Sequence, residues 1–167
     1  MPPLSTAELL AALVGGAVTR AFCVGFAVWL AMLLWPGVHV MPKHPIVILW
    51  FGFLGSLFLS FVGVLTSMWA EKFDHAAAVT NFVVAPLSLL SGTFYVIHNL
   101  APAFQAVSRA NPFFYVISGF RFGFLGRSDI GSDNGAVLAS ALGLALFNLA
   151  LGAATYALLR SGWKLKS

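Results

Sequence analysis

Of the 167 residues, 60% are hydrophobic and only 8% are charged, and the mean hydropathy is +0.93. A soluble domain carries about 25% charged residues, so these side chains cannot clothe a water-soluble globule, and a soluble enzyme, a disordered chain and a disulfide scaffold built on the single Cys23 are excluded. The net charge of +4 and pI near 9.7 would suggest nucleic acid in a soluble chain, but in a membrane chain they reflect basic residues flanking spans, and no nucleic-acid partner is expected.

The first predicted element starts at Ser5-Thr6-Ala7-Glu8, which fits a capping box: a hydroxyl caps a helix start and Glu8 reaches back to a free backbone N–H. Leu9, Leu10, Leu13 and Val14 then form an apolar stripe, and Arg20 closes the segment. Two readings stand side by side: a short helix lying at the membrane surface and leading into a span, or the capped start of the span itself. A cleavable signal peptide is not expected, because Met1-Pro2-Pro3 lacks a basic start and Glu8 places an acid early.

Residues 21–42, 44–70, 75–108 and 134–159 hold no Lys, Arg, Asp or Glu. About 20 mostly apolar residues cross the roughly 30 Å of bilayer hydrocarbon, and four spans are predicted at 17–35, 45–69, 76–95 and 135–159, the first ending at Pro36-Gly37. No internal repeat or linker divides the chain, so one domain is expected.

Between the third and fourth spans, residues 99–109 suit one short amphipathic helix with Pro102 in its first turn. Asn111-Pro112 forces a turn, because the residue before proline is pushed out of the helical region. The run 113–125, apolar except for Ser118 and Arg121, is too short to cross. The two pieces predict a re-entrant helical hairpin over 99–126, with Arg121 facing protein, water or headgroups and Arg127, Asp129 and Asp133 returning to water. Phe94, Tyr95, Phe113, Phe114 and Tyr115 are expected in the interfacial aromatic belt. Gly119-Phe-Arg-Phe-Gly123 has the small-xxx-small spacing of helix packing, a match common by chance.

Four spans put both termini on one side. That side carries Arg20, Lys72, Arg160, Lys164 and Lys166 against Lys43, Arg109, Arg121 and Arg127, a bias toward cytoplasmic termini. The lysines follow Pro42, Glu71, Trp163 and Leu165, so no Gly-Lys phosphate-cradling loop exists. His39, His44, His75 and His98 lack helical ligand spacing, so no metal site is expected. The serines have no His–Asp arrangement beside them, and no span holds a carboxylate near its middle. No catalytic residue and no cofactor is therefore expected, and the energy for any transport comes from elsewhere.

The segment 81–126 closely resembles permease subunits of ABC transporters of the ABC-2 exporter type, through Asn111-Pro112-Phe113-Phe114-Tyr115 and Phe120-Arg121. Glu71-Lys72-Phe73-Asp74 looks like the cytoplasmic loop that precedes that region, and Pro3-Leu4-Ser5 with Glu8 resembles the coupling-helix region. The resemblance implies an all-α membrane protein in which 1–167 form the C-terminal part of a single ABC-2 type transmembrane domain. It would have four transmembrane helices, an N-terminal interfacial coupling-type helix and a re-entrant external hairpin before the last span. By the same resemblance Leu4, Ser5, Glu8, Leu9, Glu71, Lys72 and Asp74 would couple to a separate ABC ATPase subunit, while Asn111, Pro112, Tyr115 and Arg121 would shape the external hairpin.

A second permease subunit, identical or different, would complete the pathway in the bacterial inner membrane. The chain itself would be no enzyme, ATP hydrolysis belonging to the partner. A complete permease of this type has six spans behind an interfacial helix, so a chain beginning at the coupling region implies either a start assigned too far downstream or a remnant. Such a fragment is expected to insert in the bilayer without transporting. The rival reading is a truncated, non-transporting remnant or accessory membrane scaffold; an autonomous channel lacks a polar face along the spans.

Overall fold

A computed structural model describes residues 5–35, 41–70, 72–92, 102–130 and 133–161. The first helix, α1 (Thr6–Leu34), opens on Ser5. The N–H of Ser5 donates to Glu8 Oε2 at 2.8 Å, and the N–H of Glu8 donates to Ser5 Oγ at 3.3 Å. Two of the donors that a helix start leaves unpaired are thereby satisfied. From there α1 runs 29 residues without a break, about 43 Å at 1.5 Å per residue.

That continuity decides between the two readings of the N-terminus. A separate interfacial helix is not formed, and Arg20, expected at a junction, lies exposed midway along α1. No proline interrupts residues 14–20, and the Thr19 hydroxyl donates to the Gly15 carbonyl at 2.8 Å. The Gly15-Gly16 pair there is a poor helix former, yet the helix runs through it.

Helix α2 (Pro45–Trp69) starts with proline at its first position, where the missing N–H would be unpaired anyway. With α1 and the later helix α7 (Asn134–Ser161), it makes three helices long and apolar enough to cross a membrane. The expected span 76–95 differs. Helix α3 (Phe73–Val79), a π-helical turn (Thr80–Val84) and α4 (Ala85–Leu89) follow one another directly. The run 73–89 is about 26 Å long, short of the roughly 30 Å hydrocarbon core. Two features shape it: the run stops at the turn 90–92, where Gly92 takes φ +82°, and inside it Pro86 has no N–H for the Phe82 carbonyl while its ring crowds the preceding turn. The helix widens just before it, the Ala85 N–H reaching back five residues to the Thr80 carbonyl. Residues 93–95 lie outside the described residues, as does Pro36-Gly37 at the expected end of the first span. Three candidate spans, not four, are thus found among the described residues, and these hold no β-strand.

Two short helices follow, α5 (Pro102–Ala110) and α6 (Pro112–Leu125). Pro102 opens α5 as expected, residues 99–101 lying outside the description. Asn111 breaks the pair: its backbone is extended, at φ −87° and ψ 121°, and its side chain accepts from the Phe113 N–H at 3.0 Å.

Helix α2 is the centre of the bundle, packed against α1, α6 and α7. It runs antiparallel to α1, since Leu13 and Ser67 line one groove while Phe22 approaches Gly52. It runs parallel to α7, with Asn148 against Leu54 and Gly152 against the Phe61 ring. Against α6 it is antiparallel and only half engaged. Phe113 meets Phe58, midway along α2, ring to ring at 5.0 Å, and the His44 N–H at the start of α2 donates to the Gly123 carbonyl at 2.8 Å.

The bundle therefore has two ends. The start of α1, the end of α2, the start of α3 and the end of α7 make one, the cap end. The end of α1, the starts of α2 and α7 and the end of α6 make the other, the turn end. Phe51, Leu54, Phe122, Val137, Ala141 and Leu144 form the core between α2, α6 and α7. Glycines let α6 approach α2 closely, and the Gly119–Gly123 spacing is a packing face. A Cβ on Gly119 would sit 2.2 Å from Phe51 Cγ, and one on Gly123 2.3 Å from Ile48 Cγ1. The outer faces are apolar, with Phe82 and Ile46 each 81% exposed, as lipid contact requires and water does not.

Candidate coupling face and polar hairpin

Most of the residues expected to couple to an ATPase gather at the cap end. Ser5, Glu8 and Leu9 stand exposed at the start of α1. Lys72 and Asp74 stand exposed where α3 begins, Lys72 as its N-cap with extended backbone and a carbonyl that accepts from the His75 N–H at 3.1 Å. Asp74 and Glu8 each place a carboxylate in a first helical turn, the position that the helix dipole favours. Among the described residues no ion pair or hydrogen bond links Glu8 to Lys72. The two segments share an end without touching. Leu4 and Glu71 lie outside the described residues.

The second group assembles at and below the turn end. Asn111 is 3% exposed, and its amide does two jobs: Oδ1 caps α6, while Nδ2 donates to the Leu87 carbonyl in α4 at 2.6 Å. Pro112 occupies the first position of α6. The Tyr115 hydroxyl donates to the Arg109 carbonyl at 2.8 Å, tying α6 to the end of α5. The Arg121 guanidinium donates from Nη1 to Asp129 Oδ2 at 2.5 Å and from Nη2 to the Gly92 carbonyl at 2.6 Å. Arg121 thus faces protein, one of the three surroundings expected of it.

Two expectations are corrected. Asp129 does not return to water but folds back on Arg121, its side chain only 9% exposed. Gly126 makes this possible, reversing the chain at φ +73° with its N–H on the Phe122 carbonyl at 2.7 Å, a conformation that costs glycine little. Phe113 and Phe114 are buried, not belt residues. They lie on the α6 face turned toward the bundle, where Phe113 packs edge-on against Phe58. Tyr115 is half-buried, and Phe94 and Tyr95 lie outside the described residues.

Sequence reasoning assigned Lys43 and His44 no place here. Lys43 Nζ donates to the Leu125 carbonyl at 2.9 Å, a cation on the negative end of α6. His44 stacks on Phe122 with ring centroids 5.3 Å apart. Contacts across some eighty positions leave no local trace in a sequence, whereas the Arg121–Asp129 pair could have been sought in the Gly126 turn between them.

These two polar clusters at opposite ends of an apolar bundle are the setting for comparison with known proteins. The profile of the family described as ABC-2 type transporter matches residues 1–125, up to the last residue of α6. The chain belongs to the ABC-2 type transporter family. This ABC-2 chain is 36% identical over 130 residues to the inner membrane transport permease YadH of Escherichia coli strain K12. The YadH permeases of Escherichia coli O157:H7 and Shigella flexneri match at the same identity. The matched stretch is 77% of this chain and 49% of each relative, so the chain spans about half the length of the curated relatives it matches. No solved structure matches it.

Proposed function

We propose that the chain acts as a membrane-spanning permease subunit of an ATP-driven ABC-2 type exporter in a bacterial inner membrane. A separate ABC ATPase subunit would supply the energy, and a second permease subunit, identical or different, would complete the pathway. The matched region would be one transmembrane domain. The run 73–89 would belong to the span expected at 76–95, giving four spans with both termini cytoplasmic. The pair α5 and α6 would form a re-entrant hairpin on the external side. The hairpin reading is supported by α6 beginning beside Phe58, midway along α2, and ending at Lys43 and His44.

The observation that carries the coupling role is the shared cap end. Ser5, Glu8, Leu9, Lys72 and Asp74 offer hydroxyl, carboxylate, apolar and ammonium contacts on the two elements that start there, and Leu4 and Glu71 adjoin them in sequence. A push on the capped start of α1 would be carried along one unbroken helix as far as Leu34. Displacement at the cap end would pass through α2 to α6, where Asn111, Pro112 and Tyr115 near mid-bundle and Arg121 toward the turn end would hold the hairpin together. Asn111, Tyr115 and Arg121 would act by positioning, since their polar side chains are engaged within the chain, and Pro112 by opening α6.

Co-expression with an ABC ATPase subunit from the same organism tests the proposal. The purified pair should hydrolyse ATP in lipid vesicles, the chain alone should not, and Glu8→Lys should weaken the coupling by reversing charge where the helix dipole favours a carboxylate. Hydrolysis by the chain free of any partner, or failure of the ATPase to associate, would refute it.

A further inference from the structure

Arg20 is the middle residue of α1, about 21 Å along the helix from Thr6 and from Leu34. Its level in the bundle agrees. Ala17 and Ala21 line a groove of about 450 Å³ together with Ser56 and Ser60 of α2, whose own midpoint is Leu57. Arg20 is exposed, as are Leu13, Gly16, Val24 and Ala27 on the same face of α1. It makes no ion pair and no side-chain hydrogen bond among the described residues. A guanidinium keeps its proton in proteins, and a lone cation at mid-membrane is expensive and marks a functional site by default.

Depth restricts what could neutralise it. The five acids of the chain are Glu8, Glu71, Asp74, Asp129 and Asp133. Glu8 is about 18 Å away along α1, and Asp74 opens α3 at the cap end. Asp129 is held by Arg121, and Asp133 precedes α7 at the turn end. Glu71 follows the residue that caps the end of α2. A second copy in the same orientation carries its acids at the same depths, so self-association supplies none. With α1 across the bilayer, as the proposed function requires, the headgroups of resident lipids lie about 15 Å away on either side. An anionic headgroup reaches Arg20 only while its owner is crossing.

We infer that Arg20 receives the oxyanion headgroup, phosphate or carboxylate, of an anionic amphiphile that the subunit carries, a substrate class that rests on the permease reading. The guanidinium fork matches either oxyanion. The groove beside it, walled by Ala17, Ala21, Ser56 and Ser60, leaves room for a headgroup, and the apolar face of Leu13, Val24 and Ala27 suits a tail. Because α1 begins at the coupling face and is unbroken, displacement there would move Arg20 and its cargo together.

The test uses the native Cys23, exposed on α1 three residues from Arg20, labelled with bimane in the purified chain in phosphatidylcholine vesicles. Nitroxide lipids should quench the label more from deep in the acyl chain than from the headgroup. Dodecyl phosphate should shift the emission saturably, at a mole fraction about tenfold to a hundredfold lower than dodecyl trimethylammonium or dodecyl maltoside. Arg20→Gln should remove that preference, and Arg20→Lys should keep part of it, a point charge without the fork. Stronger quenching from the headgroup would overturn the inference by returning Arg20 to the membrane surface. An equal response to the three amphiphiles would overturn it too, leaving the carboxylate of a partner helix as the counter-charge. So would a preference for phosphate that survives Arg20→Gln. No ATPase enters the measurement, so failure here is separable from failure of the coupling proposal.

Discussion

Arg121 and Asp129 meet at 2.5 Å across the left-handed turn at Gly126, their side chains 25% and 9% exposed. The same guanidinium holds the Gly92 carbonyl, so one side chain closes α6, the turn that follows it and the turn that follows α4. A lone cation in lipid is expensive, and this one is neutralised by a carboxylate eight residues away.

Removing either partner strands the other in a poorly hydrated place. Arg121→Ala and Asp129→Asn should each lower stability by about 1–3 kcal/mol, below the range for a fully buried pair because Arg121 is a quarter exposed. The double variant should cost less than the sum of the single ones. Thermal unfolding of the four proteins in one detergent measures this, and strict additivity would show that the pair carries no coupling.

Asn111 separates two functions of one amide. Asn111→Asp keeps the acceptor for the Phe113 N–H and loses the donor to the Leu87 carbonyl; Asn111→Ala loses both. The alanine variant should cost about 0.5–2 kcal/mol through the lost cap alone. Both variants should release α4 from α6, seen as faster hydrogen exchange over 85–89, while only alanine should also fray the start of α6.

The sequence made some features legible and hid others for physical reasons. The capping box at Ser5 and Glu8, proline at the start of α5 and the Asn111-Pro112 break are local rules, written within four residues, and each appears in the structure. The lengths of α2 and α7 followed from charge-free runs. The break expected before the first span did not appear, because Arg20 was taken as a boundary although a single long cation can lie along a continuous helix. The third span was read from hydropathy alone, which does not register the left-handed turn at Gly92, and its last residues, 93–95, lie outside the described residues. Lys43 on the end of α6 and Asn148 on the Leu54 carbonyl are tertiary contacts, and no periodicity announces them.

The glycines of α6 and α1 give opposite expectations. Gly119→Ala forces a Cβ to 2.2 Å from Phe51 Cγ and should destabilise by about 1–3 kcal/mol. Gly16→Ala meets nothing within 4 Å and should stabilise by up to about 1 kcal/mol, alanine being the better helix former. Chemical unfolding in mild detergent compares them directly. A tolerated Gly119→Ala would mean that α6 does not press on α2 as closely as its backbone indicates.

Sidedness of the partner is the sharpest test of the account. Single cysteines at Lys72 and Arg127, at the cap end and beside the turn end, are placed in a Cys23→Ser background and cross-linked in intact membranes to the co-expressed ATPase. The shared cap end predicts that Lys72→Cys forms the cross-link and Arg127→Cys does not, while Arg127→Cys alone reacts with an impermeant thiol reagent added from outside the cell. A cross-link from Arg127→Cys, or external labelling of Lys72→Cys, would contradict the coupling face and the orientation together.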